Sequence, residues 1–183
     1  NEVLLRSVIS IGFEETITGI VFPFLKRVGF LWQTGSVTPG TEHFVTNMLR
    51  SRLISAIDSL PPAIRPDRKR YLLYLPENEL HELGLLFYAW LIRSAGHDIL
   101  YLGQSTPFHS LSEACEKWHP DYLVTGALSQ LSVPDPEEYV SRLGSAFTTR
   151  KILVSGSLAF AEAAAALANV FPVRSVPELK NHL

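Results

Sequence analysis

The stretch Arg70-Tyr71-Leu72-Leu73-Tyr74-Leu75-Pro76-Glu77-Asn78-Glu79-Leu80-His81-Glu82-Leu83-Gly84 decides the fold of this chain. Residues 71–75 form a short continuous apolar run, the pattern of a strand buried on both faces. A helix is expected to follow over about 80–95. The alternation then repeats. Strands are expected at 99–102, 122–124, 152–154 and near Val173, with helices at 108–118, 136–148 and 158–170. Strand–helix alternation with short links predicts a doubly wound, five-stranded parallel sheet over residues 70–183. Right-handed crossovers bring all the strand C-terminal ends to one edge. Ligands of such sheets bind beyond that edge, so the loops after the strands are the places to search.

Upstream of Arg70 the pattern changes. Residues 59–69 hold Pro61, Pro62 and the charge run ending in Arg68-Lys69, and read as a linker. Its basic cluster is expected to be a solvated surface. Residues 1–58 read as a helical bundle. Ile17, Ile20, Val21, Phe24, Leu25, Val28 and Leu31 recur at three- and four-residue steps, with a kink expected at Pro23. Gly35 breaks the pattern, and Thr38-Pro39 reads as an N-cap followed by proline at the first helical position. The next helix is expected to bury Val45, Leu49, Leu53, Ala56 and Ile57, and a short helix over 1–10 precedes them all.

Composition limits the function. The 183 residues are 46% apolar and 19% charged, which suits a sizeable core. A net charge of -2 lacks the basic excess by which a nucleic-acid-binding domain announces itself. One cysteine, Cys115, rules out a disulfide within the chain and fits a cytoplasmic protein. No apolar run reaches the roughly 18–20 residues that span a bilayer. The start at Asn1 without Met is expected of a fragment. Nucleotide-binding glycine loops and the G-x-S-x-G elbow are absent. Trp90 and Trp118 lie on apolar helical faces and are expected in the core.

The loop after the first strand carries the chemistry. A neutral imidazole at His81 suits a transition metal such as cobalt. An acid two residues earlier, Glu79, can take the ring's other N–H and fix its tautomer. Gly84 lets a bulky planar ligand approach the backbone. Taken alone, an H-x-x-G triplet reads as an ordinary surface histidine near a helix start. In this position, Glu79-x-His81-x-x-Gly84 resembles the D-x-H-x-x-G signature of cobalamin-binding domains, with Glu where that family has Asp.

That resemblance implies a Rossmann-like, flavodoxin-like sheet domain with His81 as the lower axial ligand of cobalt. It implies that Thr125, after the third strand, receives the nucleotide tail. It matches Gly156 to the first of two glycines after the fourth strand, with Ser157 in place of the second. Gly103, in the loop after the second strand, occupies another cofactor-binding position. The frame Trp32…Glu42-His43, with nine residues between Trp32 and Glu42, resembles the helical cap of light-responsive, adenosylcobalamin-dependent MerR-type repressors. In that group the tryptophan packs on the upper axial group, which implies the same of Trp32 here. Glu42 and His43 would reach the same space, His43 as a second cobalt ligand once the upper group leaves. An aromatic wall and a hydrogen-bond acceptor suit an upper ligand carrying a sugar and a base. As ordinary structure, Trp32 would be a core residue at a helix end and Glu42-His43 a solvated first turn.

Three functions follow. The leading one is a non-enzymatic cobalamin sensor of a MerR-family transcriptional regulator. The resemblance implies a homodimer or homotetramer that contacts DNA only through an N-terminal helix-turn-helix domain outside these residues. The second is a methyl-carrying corrinoid protein of a methyltransferase system, which would share His81 but not need the Trp32 frame. The third is a cobalamin-free dimerisation domain.

Overall fold

The computed structural model describes residues 2–62, 64–128 and 133–183. The chain forms two compact units, Asn1–Arg52 and Leu53–Leu183. The first unit is helical, with α1 (Glu2–Ile11), α2 (Phe13–Thr16), α3 (Phe22–Gln33) and most of α4 (Pro39–Asp58). A π-helical turn over Ile17–Val21 joins α2 to α3. It ends two residues before Pro23, the position at which the sequence predicts a kink. Proline has no N–H to donate and its ring crowds the carbonyl four residues back, so the preceding turn widens rather than breaks. Ile17 and Val21 are buried as their spacing predicts, whereas Ile20 and Phe24 lie exposed beside the covered stripe. Gly35 ends α3 in a left-handed conformation. Thr38 caps α4, accepting the Thr41 N–H at 3.4 Å. Leu49 and Leu53 are the buried positions of α4, while Val45, Ala56 and Ile57 are half-buried.

The second unit is the α/β domain. Its strands are β1 (Arg70–Pro76), β2 (Asp98–Thr106), β3 (Tyr122–Ala127), β4 (Lys151–Gly156) and β5 (Val170–Pro172). All pair in parallel, in the order β2-β1-β3-β4-β5. Helices α5 (Leu83–Ser94), α6 (Phe108–Trp118), α7 (Pro136–Ala146) and α8 (Leu158–Ala164) alternate with the strands. The five-stranded parallel sheet expected from the sequence is therefore present. Six of the seven residues of β1 are buried, as a central strand covered on both faces requires. On one face Leu72, Tyr74, Leu123, Ile152 and Val154 share a core with Val140 and Phe160 of the helices.

Several boundaries differ from expectation. Helix α5 starts at Leu83 rather than near residue 80, because the preceding residues are tied into the loop described below. Helix α8 stops at Ala164, and turns occupy 165–169. Trp90 and Trp118 are half-buried rather than core. A ninth helix among the described residues, α9 (Val176–Lys180), was not expected. Ser175 caps it by accepting the Glu178 N–H at 3.4 Å, and Glu178 accepts the Arg174 N–H at 2.7 Å. Pro177 sits in its first turn.

The segment before β1 is stitched to the opposite edge of the sheet from the strand C-terminal ends. His97 Nδ1 accepts the Lys69 N–H at 3.1 Å, and Arg65 Nη1 lies 3.2 Å from its Nε2. Burial and the Arg65 charge hold the imidazole below its usual value of 6.5. Protonation would also turn Nδ1 from acceptor to donor against the Lys69 N–H. The unfolded ring gains its proton near pH 6.5 and the folded ring only at lower pH, so between the two the unfolded state binds more protons. Stability is therefore expected to fall as pH drops through 6.5. His182, lowered by burial and by Lys151, adds in the same direction. Urea midpoints at about pH 7.5 and pH 5 measure the loss. His97→Gln should shrink it, and an undiminished loss in that variant would exclude His97 as a source.

Candidate functional site

The sheet order reverses between β1 and β3, because the chain leaves β1 for β2 on one side and returns to β3 on the other. Such a switch point opens a crevice at the strand C-terminal ends. The loop after β1 lies there with Glu79 and His81. Glu79 is 1% exposed, and an isolated carboxylate would not tolerate that burial. Its Oε1 accepts the backbone N–H groups of Leu80 at 2.9 Å and His81 at 3.0 Å. The same oxygen lies 2.5 Å from His81 Nδ1. Its Oε2 accepts the Leu128 N–H at 2.9 Å, from just beyond β3. One carboxylate thus joins the ends of the two strands that flank the switch point and orients the imidazole between them.

With Nδ1 held against the carboxylate, Nε2 is the nitrogen left to act, on a side chain that is 60% exposed. A carboxylate on Nδ1 sets the tautomer that leaves the other nitrogen free for metal binding. Among the described residues no group of three or more His, Cys, Asp or Glu could hold a metal ion. A single imidazole such as His81 would suit a metal whose other positions are filled by a macrocycle. Leu80 and Leu128, 60% and 63% exposed, flank the imidazole loop and offer the apolar surface such a macrocycle would cover. A Cβ added to Gly84 would meet nothing within 4 Å, so the local packing does not demand glycine there. Its absence of a side chain leaves room for a ligand.

The other glycines have causes within the fold. Gly103 has φ +82 and packs against Tyr101. Gly156 has φ +121, and a Cβ there would lie 2.1 Å from the Ala127 carbonyl oxygen. Gly156→Ala is expected to cost about 2 kcal/mol by forcing β4 from β3. Chemical denaturation reads this directly, and a loss within ±0.5 kcal/mol would contradict the close approach.

Thr125 is fully buried on β3, and its hydroxyl has no hydrogen-bond partner of good geometry. Tyr74 lies near it, with its hydroxyl 3.2 Å from that of Tyr139. Burial pushes the Tyr139 phenol up to about 12 and the Tyr74 phenol well above its usual value, so both stay protonated. The Thr125 hydroxyl faces the Tyr74 side chain in the core, and a polar group entering from the crevice would give it a better-aligned partner. The glutamate–histidine pair, the open glycine and the buried threonine hydroxyl fit a cobalamin.

In the helical unit, Trp32 is in the last turn of α3 and half exposed. Glu42 and His43 are in the first turn of α4. Glu42 accepts the Thr46 hydroxyl at 2.6 Å and lies 3.5 Å from His43 Nε2. The structure thus pairs Glu42 with His43, and Glu79 with His81. The Leu128 amide was not foreseeable, since a backbone donor from a distant loop leaves no mark in the sequence. Glu82, 3% exposed and bonded to Tyr101 at 2.8 Å, was also missed.

No protein-family model matches the chain. It is 34% identical over 135 residues to the HTH-type transcriptional repressor CarH of Myxococcus xanthus, covering 74% of this chain and 43% of that protein. It is 33% identical over 133 residues to the HTH-type transcriptional repressor CarA of the same organism, covering 73% and 43%. The chain thus spans less than half the length of the curated relatives it matches. Among solved structures, the monomethylamine corrinoid protein of Methanosarcina barkeri superposes with a TM-score of 0.76 at 15% identity, over 99% of this chain and 87% of that one. At that identity the likeness is one of fold.

Proposed function

We propose, from the premise that this chain is a homologue of the CarH and CarA repressors, that it is the cobalamin-binding regulatory region of a MerR-type transcriptional regulator. The observation that carries the reading is the Glu79–His81 pair at the switch point. Adenosylcobalamin is the cofactor assigned. When bound, it would supply a cobalt–carbon bond to its upper adenosyl group, a bond that light can break. His81 would offer Nε2 to the cobalt, and Glu79 would hold the ring in that tautomer. Gly84 would leave the macrocycle room, and Gly103 within β2 and Gly156 at the end of β4 would shape the neighbouring sheet edge. Thr125 donates its hydroxyl to the nucleotide tail.

Residues 1–58 act as the cap and 59–69 as the linker. Trp32 would offer an aromatic wall to the upper ligand, Glu42 a hydrogen-bond acceptor and His43 a second nitrogen. The role is regulatory, with no turnover. The protein works in the cytoplasm as a homodimer or homotetramer, and DNA is bound by a separate helix-turn-helix domain. A switch of this kind needs two arrangements that the ligand distinguishes energetically.

A visible absorption titration with adenosylcobalamin, in the dark and after green light, tests the reading. Uptake with a light-induced spectral change is the expected result. Uptake with no response to light would favour a light-independent corrinoid sensor or a methyl carrier, and no uptake a cobalamin-free dimerisation domain. Trp32→Ala is expected to reduce the preference for adenosyl- over methylcobalamin by about tenfold, the loss of one aromatic contact. Equal affinity ratios in parent and variant would remove Trp32 from the upper site.

A further inference from the structure

Four hydrogen bonds run between the β2 segment and the loop that carries His81. Tyr101 donates its hydroxyl to Glu82 Oε2 at 2.8 Å. Gln104 donates its side-chain amide to the Leu80 carbonyl at 2.6 Å. Ser105 donates its N–H to the Glu79 carbonyl at 3.1 Å, and its hydroxyl oxygen accepts the Asn78 N–H at 3.1 Å. The loop residues held are Asn78, Glu79, Leu80 and Glu82, which lie on both sides of His81.

Two further features make this arrangement costly. Asn78 and Ser105 have φ of 67° and 47°, and they are two of the three non-glycine residues with positive φ among the described residues. Left-handed backbone at such residues stores strain and persists only where the surroundings enforce it. Here the two strained residues bond each other. Glu82 stands at the N-cap position of α5, yet its carboxylate makes no capping bond and is buried against Tyr101 instead. A buried carboxylate and a left-handed residue on this loop, facing a second left-handed residue on β2, exceed what a surface connection needs. They are accounted for if the loop must be held still.

We propose that Tyr101, Gln104 and Ser105 are positioning residues for His81: they clamp its loop, so that residues with no contact to cobalt set how readily the imidazole ligates it. The proposal rests on the cobalamin reading above. Gln104 is the best handle, because it is exposed and its substitution leaves the core intact.

The test compares the parent 183-residue chain with Gln104→Ala, Tyr101→Phe, Gln104→Glu and Gln104→Lys. Amide exchange over residues 77–82 is measured without ligand, and affinity is measured with hydroxocobalamin. Loss of one bond should speed exchange and weaken affinity by about fivefold each, while exchange in β4 stays unchanged. Gln104→Lys still has a donor for the Leu80 carbonyl and should recover, whereas Gln104→Glu should not. A merely structural role would not produce that split. Parent-like affinity in Gln104→Ala and Tyr101→Phe would overturn the proposal alone. A parent chain that takes up no cobalamin would overturn the functional reading and this proposal with it.

Discussion

His81→Ala is expected to weaken cobalamin binding by about 100-fold or more. Loss of an outer partner of a metal-bound histidine typically costs 10–100-fold, and here the ligand itself is removed. Any corrinoid still bound should carry its own base or water below cobalt, with a correspondingly shifted visible spectrum. Folding should be spared, because the side chain is mostly exposed and its removal opens no core cavity. A variant with parent affinity and parent spectrum would remove His81 from the metal. The chain would then bind corrinoid, if at all, through shape alone.

Glu79→Ala should do damage of two kinds. The Leu80, His81 and Leu128 N–H groups would lose their acceptor, and the imidazole its orienting partner. The unsatisfied donors should lower stability by about 3 kcal/mol. The disoriented ring should lower cobalamin affinity by about 30-fold. Urea unfolding and a visible titration on the same variant separate the two effects. A stable variant with weakened affinity would confine Glu79 to the imidazole. Unchanged values in both would contradict the geometry. The longer side chain also gives physical meaning to Glu where related domains carry Asp: it meets His81 Nδ1 with one oxygen and the far side of the switch point with the other.

Much of the sheet was legible because parallel strands buried on both faces are written as apolar runs such as Tyr71–Leu75, and no competing period obscures them. The edge of the sheet that matters followed from crossover handedness, which is fixed by chain chirality. Helix ends were less legible. Residues 80–82 have helical composition, yet the Glu79 carboxylate binds the Leu80 and His81 amides and defers α5 to Leu83. Helix α9 carried a readable signal in Ser175 and Glu178 at capping-box spacing with Pro177 between them, but five residues are too short for periodicity to register. Within the site, Glu79 and His81 were legible because their chemistry lies in side chains two residues apart. The Leu128 amide and the Tyr101, Gln104 and Ser105 bonds depend on which loops the fold brings together. Gly156 was legible as a residue type but not in its cause, since only the β3–β4 pairing reveals the Ala127 carbonyl against it.

The most direct test of the central claim is electron paramagnetic resonance of the cob(II)alamin complex, prepared with protein carrying 15N only in histidine. The unpaired electron lies along the axial direction, so the lower ligand's nitrogen splits each cobalt line. Coordination by His81 predicts doublets from 15N, which revert to triplets in unlabelled protein and disappear in His81→Ala. Triplets that persist in the 15N-histidine sample would place the cofactor's own base on cobalt and contradict the account.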